Sequence, residues 1–219
     1  MVERFESEVG PYIHNIYGLT ESTSACIGVP LGTRAPVDEK SGALAIGVPL
    51  PGTHVTVVGE DREELPPGTA GELVVRGPSV GTGYWNRPDE TASAFRAEGL
   101  HTGDVGVMDE QGWIYIVDRK KDLLVVSGYK VWPREVEDVL YLHPAVREAA
   151  VVGRPDEYQG ESVQAFVALR SGQTVTAEEL QAHCRENLSA YKCPRRIDFL
   201  DDLPKTATGK ILRRELKEG

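Results

Sequence analysis

The sequence predicts an α/β chain of the α+β kind. A mostly β first part, a distorted barrel or small sheet, is followed by a smaller α+β part. Three observations carry this expectation. Short apolar runs separated by Gly- and Pro-rich loops fill the first half. The best helix-opening signals, a proline at Pro133 and the capping box Thr176-Ala-Glu-Glu179, lie in the second half. Charge also divides: residues 1–118 carry 7 Lys and Arg against 18 Asp and Glu, whereas residues 119–219 carry 17 against 16. Such an asymmetry suggests two pieces of different purpose, divided as 1–118 and 119–219 with a hinge at 118–122. An ordinary surface loop between two strands of one domain would explain the charged run Asp118-Arg-Lys-Lys-Asp122 equally well.

Taken in order, residues 2–9 suit a helical turn or two, and Tyr12–Tyr17 a short strand. Gly28–Pro51 is rich in Gly and Pro, so irregular backbone is expected. His54–Val58 and Glu72–Arg76 read as strands, as do Val105–Met108 and Trp113–Val117, the latter pair joined by a turn at Asp109–Gly112. The five charged residues 118–122 predict a solvated connection. After them, an apolar run broken at Ser127-Gly128 and resumed as Tyr-Lys-Val-Trp reads as a hairpin. Pro133 opens a helix whose stripe is Val136, Val139 and Leu140, with Glu135, Glu137 and Asp138 favoured by the macrodipole. Ala149–Val152 and Val163–Leu169 are strands, Thr176 caps a helix to about Leu188, Arg196–Leu200 is a strand, and a last helix starts near Ile211.

Composition narrows the function. A net charge of −10 with pI near 5.1 argues against general nucleic-acid binding. No apolar run approaches the roughly 20 residues that cross a bilayer. The three cysteines, Cys26, Cys184 and Cys193, lack paired metal spacing and suit reduced thiols in a cytoplasmic protein. The histidines are scattered, so neither residue type indicates a metal site.

Several stretches carry possible chemistry. Thr20 and Glu21, after Gly18, combine a hydroxyl for a phosphate oxygen with a hard carboxylate for magnesium, or simply form a capped turn. His101-Thr-Gly-Asp104 sets a carboxylate at a glycine turn, suited to ribose hydroxyls or to ordinary turn chemistry. Pro204-Lys-Thr-Ala-Thr-Gly-Lys210 puts the compact charge of Lys210 on a mobile loop, where it can meet developing negative charge or remain solvated. Gly77–Gly83 is glycine-rich but lacks the following Lys-Ser/Thr and a clear strand-to-helix setting, so a P-loop is rejected there.

The order of the motifs is more specific than any one of them. Tyr17-Gly-Leu-Thr-Glu21, Gly83-Tyr-Trp-Asn-Arg-Pro-Asp-Glu-Thr91, Thr102-Gly-Asp104, Asp118-Arg119 with Lys121-Asp122, Ser127-Gly-Tyr129 and Pro204–Lys210 follow one another. This succession resembles the AMP-forming adenylating enzymes: acyl-CoA synthetases, luciferases and carrier-protein adenylation domains. The Asp-Arg-Lys-Lys-Asp and Val-Ser-Gly-Tyr wording is most similar to bacterial fatty-acyl-CoA synthetases.

The resemblance implies a role for each motif. Tyr17 would lie on the adenine, Thr20 and Glu21 would meet the α-phosphate and magnesium, and Asp104 with Arg119 would bind the ribose hydroxyls. Lys121 would be the pivot of a C-terminal lid that turns between two half-reactions. In one orientation Lys210 would assist adenylation; in the other, Ser127, Gly128 and Tyr129 would line the pantetheine tunnel. ATP, Mg2+ and CoA are the implied cofactor and co-substrates, and a carboxylic acid, most simply a fatty acid, is the partner. The family's N-terminal half, with its phosphate loop and most of the acyl pocket, has no counterpart here. The chain alone is therefore expected to be inactive, and the missing half is an implied partner. A carrier-protein adenylation enzyme or a non-catalytic nucleotide-binding remnant are the alternatives.

Overall fold

The computed structural model describes residues 2–38, 43–207 and 209–218. The chain forms two compact units, residues 1–120 and 121–219.

In the first unit, helix α1 (Val2–Val9) precedes a small antiparallel sheet of β1 (Ile16–Gly18), β2 (Ala25–Gly28) and β3 (Val48–Pro49). The strand expected from Tyr12 begins only at Ile16. A second antiparallel sheet contains β4 (His54–Val58), β5 (Gly71–Arg76), β6 (Phe95–Arg96), β7 (Gly99–Met108) and β8 (Ile114–Arg119). The ten-residue strand β7 is its organiser, pairing β5 on one side and β6 then β8 on the other. Ile27, Val55, Val57, Leu73, Val75 and Ile114 form one core across both sheets. Alternation within each strand supplies that core, since residues two apart share a face.

Two expectations are corrected here. Asp118 and Arg119 belong to β8 rather than to a solvated connection, and Asp118 is only 4% exposed. Its carboxylate accepts the Arg119 N–H at 2.7 Å, a bond that offsets part of the cost of its burial. The link between the units shrinks to the 3-10 turn Lys120–Asp122. Likewise, His101–Asp104 is no turn: it is an irregular stretch inside β7, with Gly103 at φ 71°. Helix α2 (Pro88–Ala94) was not expected, because none of its residues is buried and it offers no apolar stripe.

The second unit opens with a hairpin of β9 (Leu124–Val126) and β10 (Tyr129–Val131). Its two-residue turn has φ values of 51° at Ser127 and 83° at Gly128, the paired positive angles a type I′ turn requires. Helix α3 (Pro133–Leu142), strands β11 (Val146–Asp156) and β12 (Gly160–Leu169), helix α4 (Ala177–Asn187), strand β13 (Arg196–Phe199) and helix α5 (Arg213–Glu218) follow. The sheet runs β10-β9-β12-β11, with β13 parallel to β12. The two long strands, β11 and β12, are buried on both faces. Ala149, Val151, Val163, Ala165 and Val167 pack with Val136 and Leu140 of α3 and Leu180 and Cys184 of α4. Their neighbours Ala150, Val152, Phe166 and Ala168 pack instead with Leu203 and Leu216. That double burial explains the near-continuous apolar runs in both strands.

Thr176 caps α4 as expected: its hydroxyl accepts the Glu179 N–H at 3.2 Å and Glu179 returns to the Thr176 N–H at 2.8 Å. Glu137, expected near the favourable end of the α3 dipole, is also built into the core. It is 7% exposed, accepts the Val151 N–H at 2.8 Å and takes a forked bond from Arg213. Among the described residues, no helix is long and apolar enough to cross a membrane.

Candidate functional site

In the first unit, the turn after β1 is built by close approach. A Cβ on Gly18 would stand 2.3 Å from the Ser24 carbonyl oxygen, so only glycine fits. Ser22, fully buried, accepts the Leu19 N–H at 3.0 Å and donates to the Ser24 carbonyl at 2.7 Å. This brace leaves Thr20 exposed and Glu21 half-buried at the rim. Glu21 is held from two directions. Its backbone carbonyl accepts the Gly81 N–H at 2.8 Å, and its carboxylate accepts the Tyr84 hydroxyl. Tyr84 is itself oriented by an edge-on contact with Phe95, ring centres 5.4 Å apart. Burial and the Glu21 bond push its phenol up to about 12.

Tyr17, Asp104 and Arg119 come together. Tyr17 donates its hydroxyl to Asp104 Oδ2 at 2.6 Å, while Arg119 Nε lies 3.2 Å from Asp104 Oδ1. Asp104 and Arg119 face each other in the β7–β8 register, which sets the pair by backbone pairing rather than by loop chance. Desolvation and the Asp104 bond raise the Tyr17 phenol far above its ordinary value, so it stays a donor. Each carboxylate oxygen has two acceptor sites, so one protein donor apiece leaves capacity for two ligand hydroxyls.

The remaining residues singled out from sequence lie in the second unit. Lys121 is its first residue and is exposed. The Ser127-Gly128 turn is pinned by the Ser127 N–H to the Gln159 carbonyl at 2.8 Å. Tyr129 stacks on Tyr191, ring centres 4.7 Å apart, and Lys192 beside it pairs with Glu135 at 2.6 Å. Sequence reasoning missed Tyr191, which sits 62 positions away with no motif to announce it.

The Pro204–Lys210 loop is closed rather than open. Thr206 N–H donates to the Lys210 carbonyl at 2.8 Å, Leu212 N–H to the Pro204 carbonyl at 2.8 Å, and Lys210 N–H to Thr206 Oγ1 at 3.1 Å. Lys210 is exposed on it; Thr208 lies outside the described residues. The helix expected from Ile211 starts at Arg213, because Ile211 is bridged to Lys205.

Among the described residues no group of three or more His, Cys, Asp and Glu is placed to hold a metal ion. A single carboxylate such as Glu21 nevertheless fits magnesium carried on a nucleotide, since that ion takes one or two protein carboxylates and completes its shell with phosphate oxygens and water.

The chain belongs to the AMP-binding enzyme family. The profile described as AMP-binding enzyme matches residues 1–85, and that of the AMP-binding enzyme C-terminal domain matches residues 135–210. The chain is 45% identical over 218 residues to the long-chain-fatty-acid–CoA ligase of Escherichia coli O6:H1, covering all of this chain and 38% of that protein. It superposes on ATP-bound MatB from Rhodopseudomonas palustris with TM-score 0.90 at 34% identity, over 99% of this chain and 42% of that one. The Bacillus subtilis o-succinylbenzoate CoA synthetase MenE, in complex with its acyl-adenylate OSB-AMP, gives 0.86 at 35% identity over 100% and 43%. The chain thus spans about two fifths of the length of the relatives it matches.

Proposed function

We propose that this chain is part of an ATP-dependent, AMP-forming acyl-CoA ligase whose acid is a fatty acid, and that it works with the remainder of a large adenylating domain. The observation that carries the reading is Asp104, braced by Tyr17 through one oxygen and Arg119 through the other. Such a carboxylate can accept both ribose hydroxyls while the tyrosine ring lies beside the base. The choice of fatty acid rests on the 45% identity to a long-chain-fatty-acid–CoA ligase, against 42% for a 2-succinylbenzoate–CoA ligase. Three free thiols suit a reducing cytoplasm.

In the first half-reaction the acid's carboxylate oxygen attacks the α-phosphorus of ATP, the bond to the bridging oxygen breaks, and pyrophosphate leaves. Thr20 offers its hydroxyl to the α-phosphate, and Glu21 is the carboxylate that would hold Mg2+. When bound, that ion offsets phosphate charge. Lys210, on its closed loop, supplies positive charge where negative charge builds on the carboxylate and phosphate oxygens. In the second half-reaction the CoA thiolate attacks the acyl carbon, the acyl–oxygen bond breaks, and AMP departs. Here the second unit turns about Lys121 and presents Ser127, Gly128 and Tyr129 to the pantetheine arm.

The test is a chimaera in which residues 1–219 replace the corresponding part of the Escherichia coli ligase. It should release pyrophosphate only with a fatty acid and then form the thioester with CoA. A chimaera that folds and binds ATP yet yields no adenylate with any carboxylate refutes the proposal.

A further inference from the structure

We propose that Glu72 is a positioning residue of the nucleotide site, a role that rests on Asp104 and Arg119 being ribose ligands. Its carboxylate holds the residue before one and the residue after the other. Oε1 accepts the Gly103 N–H at 3.1 Å, and Oε2 takes the Lys120 ammonium at 2.9 Å. Gly103 immediately precedes Asp104, and Lys120 immediately follows Arg119.

The backbone ladder by itself leaves this place loose. Register shifts between Glu72 and Val74 in the β5–β7 pairing, and again between Val105 and Gly106 in the β7–β8 pairing. Irregularities of this kind leave backbone groups without ladder partners. The Glu72 side chain takes the Gly103 N–H instead. Thr102 secures the other side of the irregular stretch, donating to the Leu73 carbonyl at 2.9 Å and accepting the Asp104 N–H at 3.1 Å.

Glu72 is only 9% exposed, and a buried carboxylate persists where donors surround it. Burial pushes it upward, but the bonds from Lys120 and His101 outweigh that and hold it below its ordinary range. His101, also buried, faces Glu72 Oε2 through Nδ1 at 3.1 Å and Glu98 Oε1 through Nε2 at 3.0 Å. Glu72 thus fixes the chain on each side of the ribose pair, at Gly103 and at Lys120.

The experiment measures binding of AMP and of 2′,3′-dideoxyadenosine monophosphate to the full 219-residue chain, by amide NMR titration. The second nucleotide lacks both hydroxyls that Asp104 and Arg119 would bind. Unmutated chain should prefer AMP by about tenfold or more, the usual worth of hydrogen bonds to charged groups. Glu72→Gln should cut that preference to within about threefold while leaving the dideoxy affinity unchanged. Lys120→Met, at a side chain 54% exposed, should lower the preference by less, and Lys120→Arg should restore it. Equal weakening of both nucleotides, or full retention of the preference in both the Gln and Met variants, overturns the positioning role. Should Glu72→Gln not fold, the Lys120 pair decides. An unmutated chain that does not prefer AMP removes the ribose assignment itself, and this role with it.

Discussion

Replacing Arg213 by Met should destabilise the second unit by about 3 kcal/mol, within the range for removing one member of a buried ion pair. The guanidinium places three bonds on Glu137, at 3.1, 2.8 and 2.6 Å, and a fourth on Asp122 at 3.3 Å. Side-chain exposures are 26% for Arg213, 10% for Glu137 and 13% for Asp122, so both carboxylates would be stranded out of water. Glu137 keeps the Val151 N–H, which sets the loss at the low end of the range. The effect should be sharp because α5 has only six residues, too few for a helix to stand unaided. Its docking depends on Arg213, on Leu216 in the core, and on Arg154 bonded to the Leu216 carbonyl at 3.0 Å. Urea unfolding followed by Trp132 fluorescence, with Trp85 and Trp113 changed to Phe, isolates the second unit. Arg213→Met with Glu137→Gln should recover part of the loss, because the charge goes while the Val151 acceptor stays. A loss below about 0.5 kcal/mol, or a double variant as poor as the sum of the singles, refutes the buried-pair account.

Three further outcomes are expected. The raised Tyr17 phenol favours the protonated folded form, so its stabilisation is complete below about pH 10 and is lost as pH rises beyond it; Tyr17→Phe should flatten that alkaline fall in thermal melts, and an unchanged fall counts against it. Brief trypsin treatment should cut at Lys121 before Arg119, since Arg119 lies in β8 and Lys120 is tied to Glu72; scattered cleavage through residues 130–200 would contradict two separately moving units. In the chimaera, Lys210→Ala should slow single-turnover pyrophosphate release on the order of 10²–10³-fold, the cost of one preorganised electrostatic donor, and spare CoA transfer to supplied acyl-adenylate; equal loss of both steps sinks the assignment.

What the sequence made legible was local. The Thr176 box, the Ser127-Gly128 turn and Pro133 each act within four residues, and the structure has all three features where their chemistry predicts them. Tyr17, Asp104 and Arg119 were brought to one nucleotide only by the family resemblance, because from the residues alone their meeting depends on the β7–β8 register and a contact spanning 87 positions. Glu72 was invisible, read only as the first residue of a strand. Its partners are 29 and 48 positions distant, and nothing about a lone glutamate in a β run marks it as buried. The charged run at 118–122 misled for the opposite reason. Charge was taken to mean solvent, yet Asp118 is buried and accepts the next residue's own N–H, a pairing that composition does not reveal.

Gly18 and Gly128 show how the same residue type serves two purposes, and the difference bears on the proposed half-reactions. At Gly18 the crowding is internal, since a methyl would meet the Ser24 carbonyl in the folded chain itself. At Gly128 an added Cβ meets nothing within 4 Å, and only the φ of 83° argues for glycine. That angle is not a strict demand, because Ser127 beside it already holds φ 51° with a side chain. Asparagine tolerates left-handed backbone, so Gly128→Asn should leave folding and adenylation nearly intact. If pantetheine passes over this turn, Asn should still slow transfer to CoA, and Leu should slow it further. Bulk matters at an open position only when a ligand occupies the space. Should Asn transfer the acyl group to CoA as fast as glycine does, the turn is a fold requirement alone and the tunnel runs elsewhere.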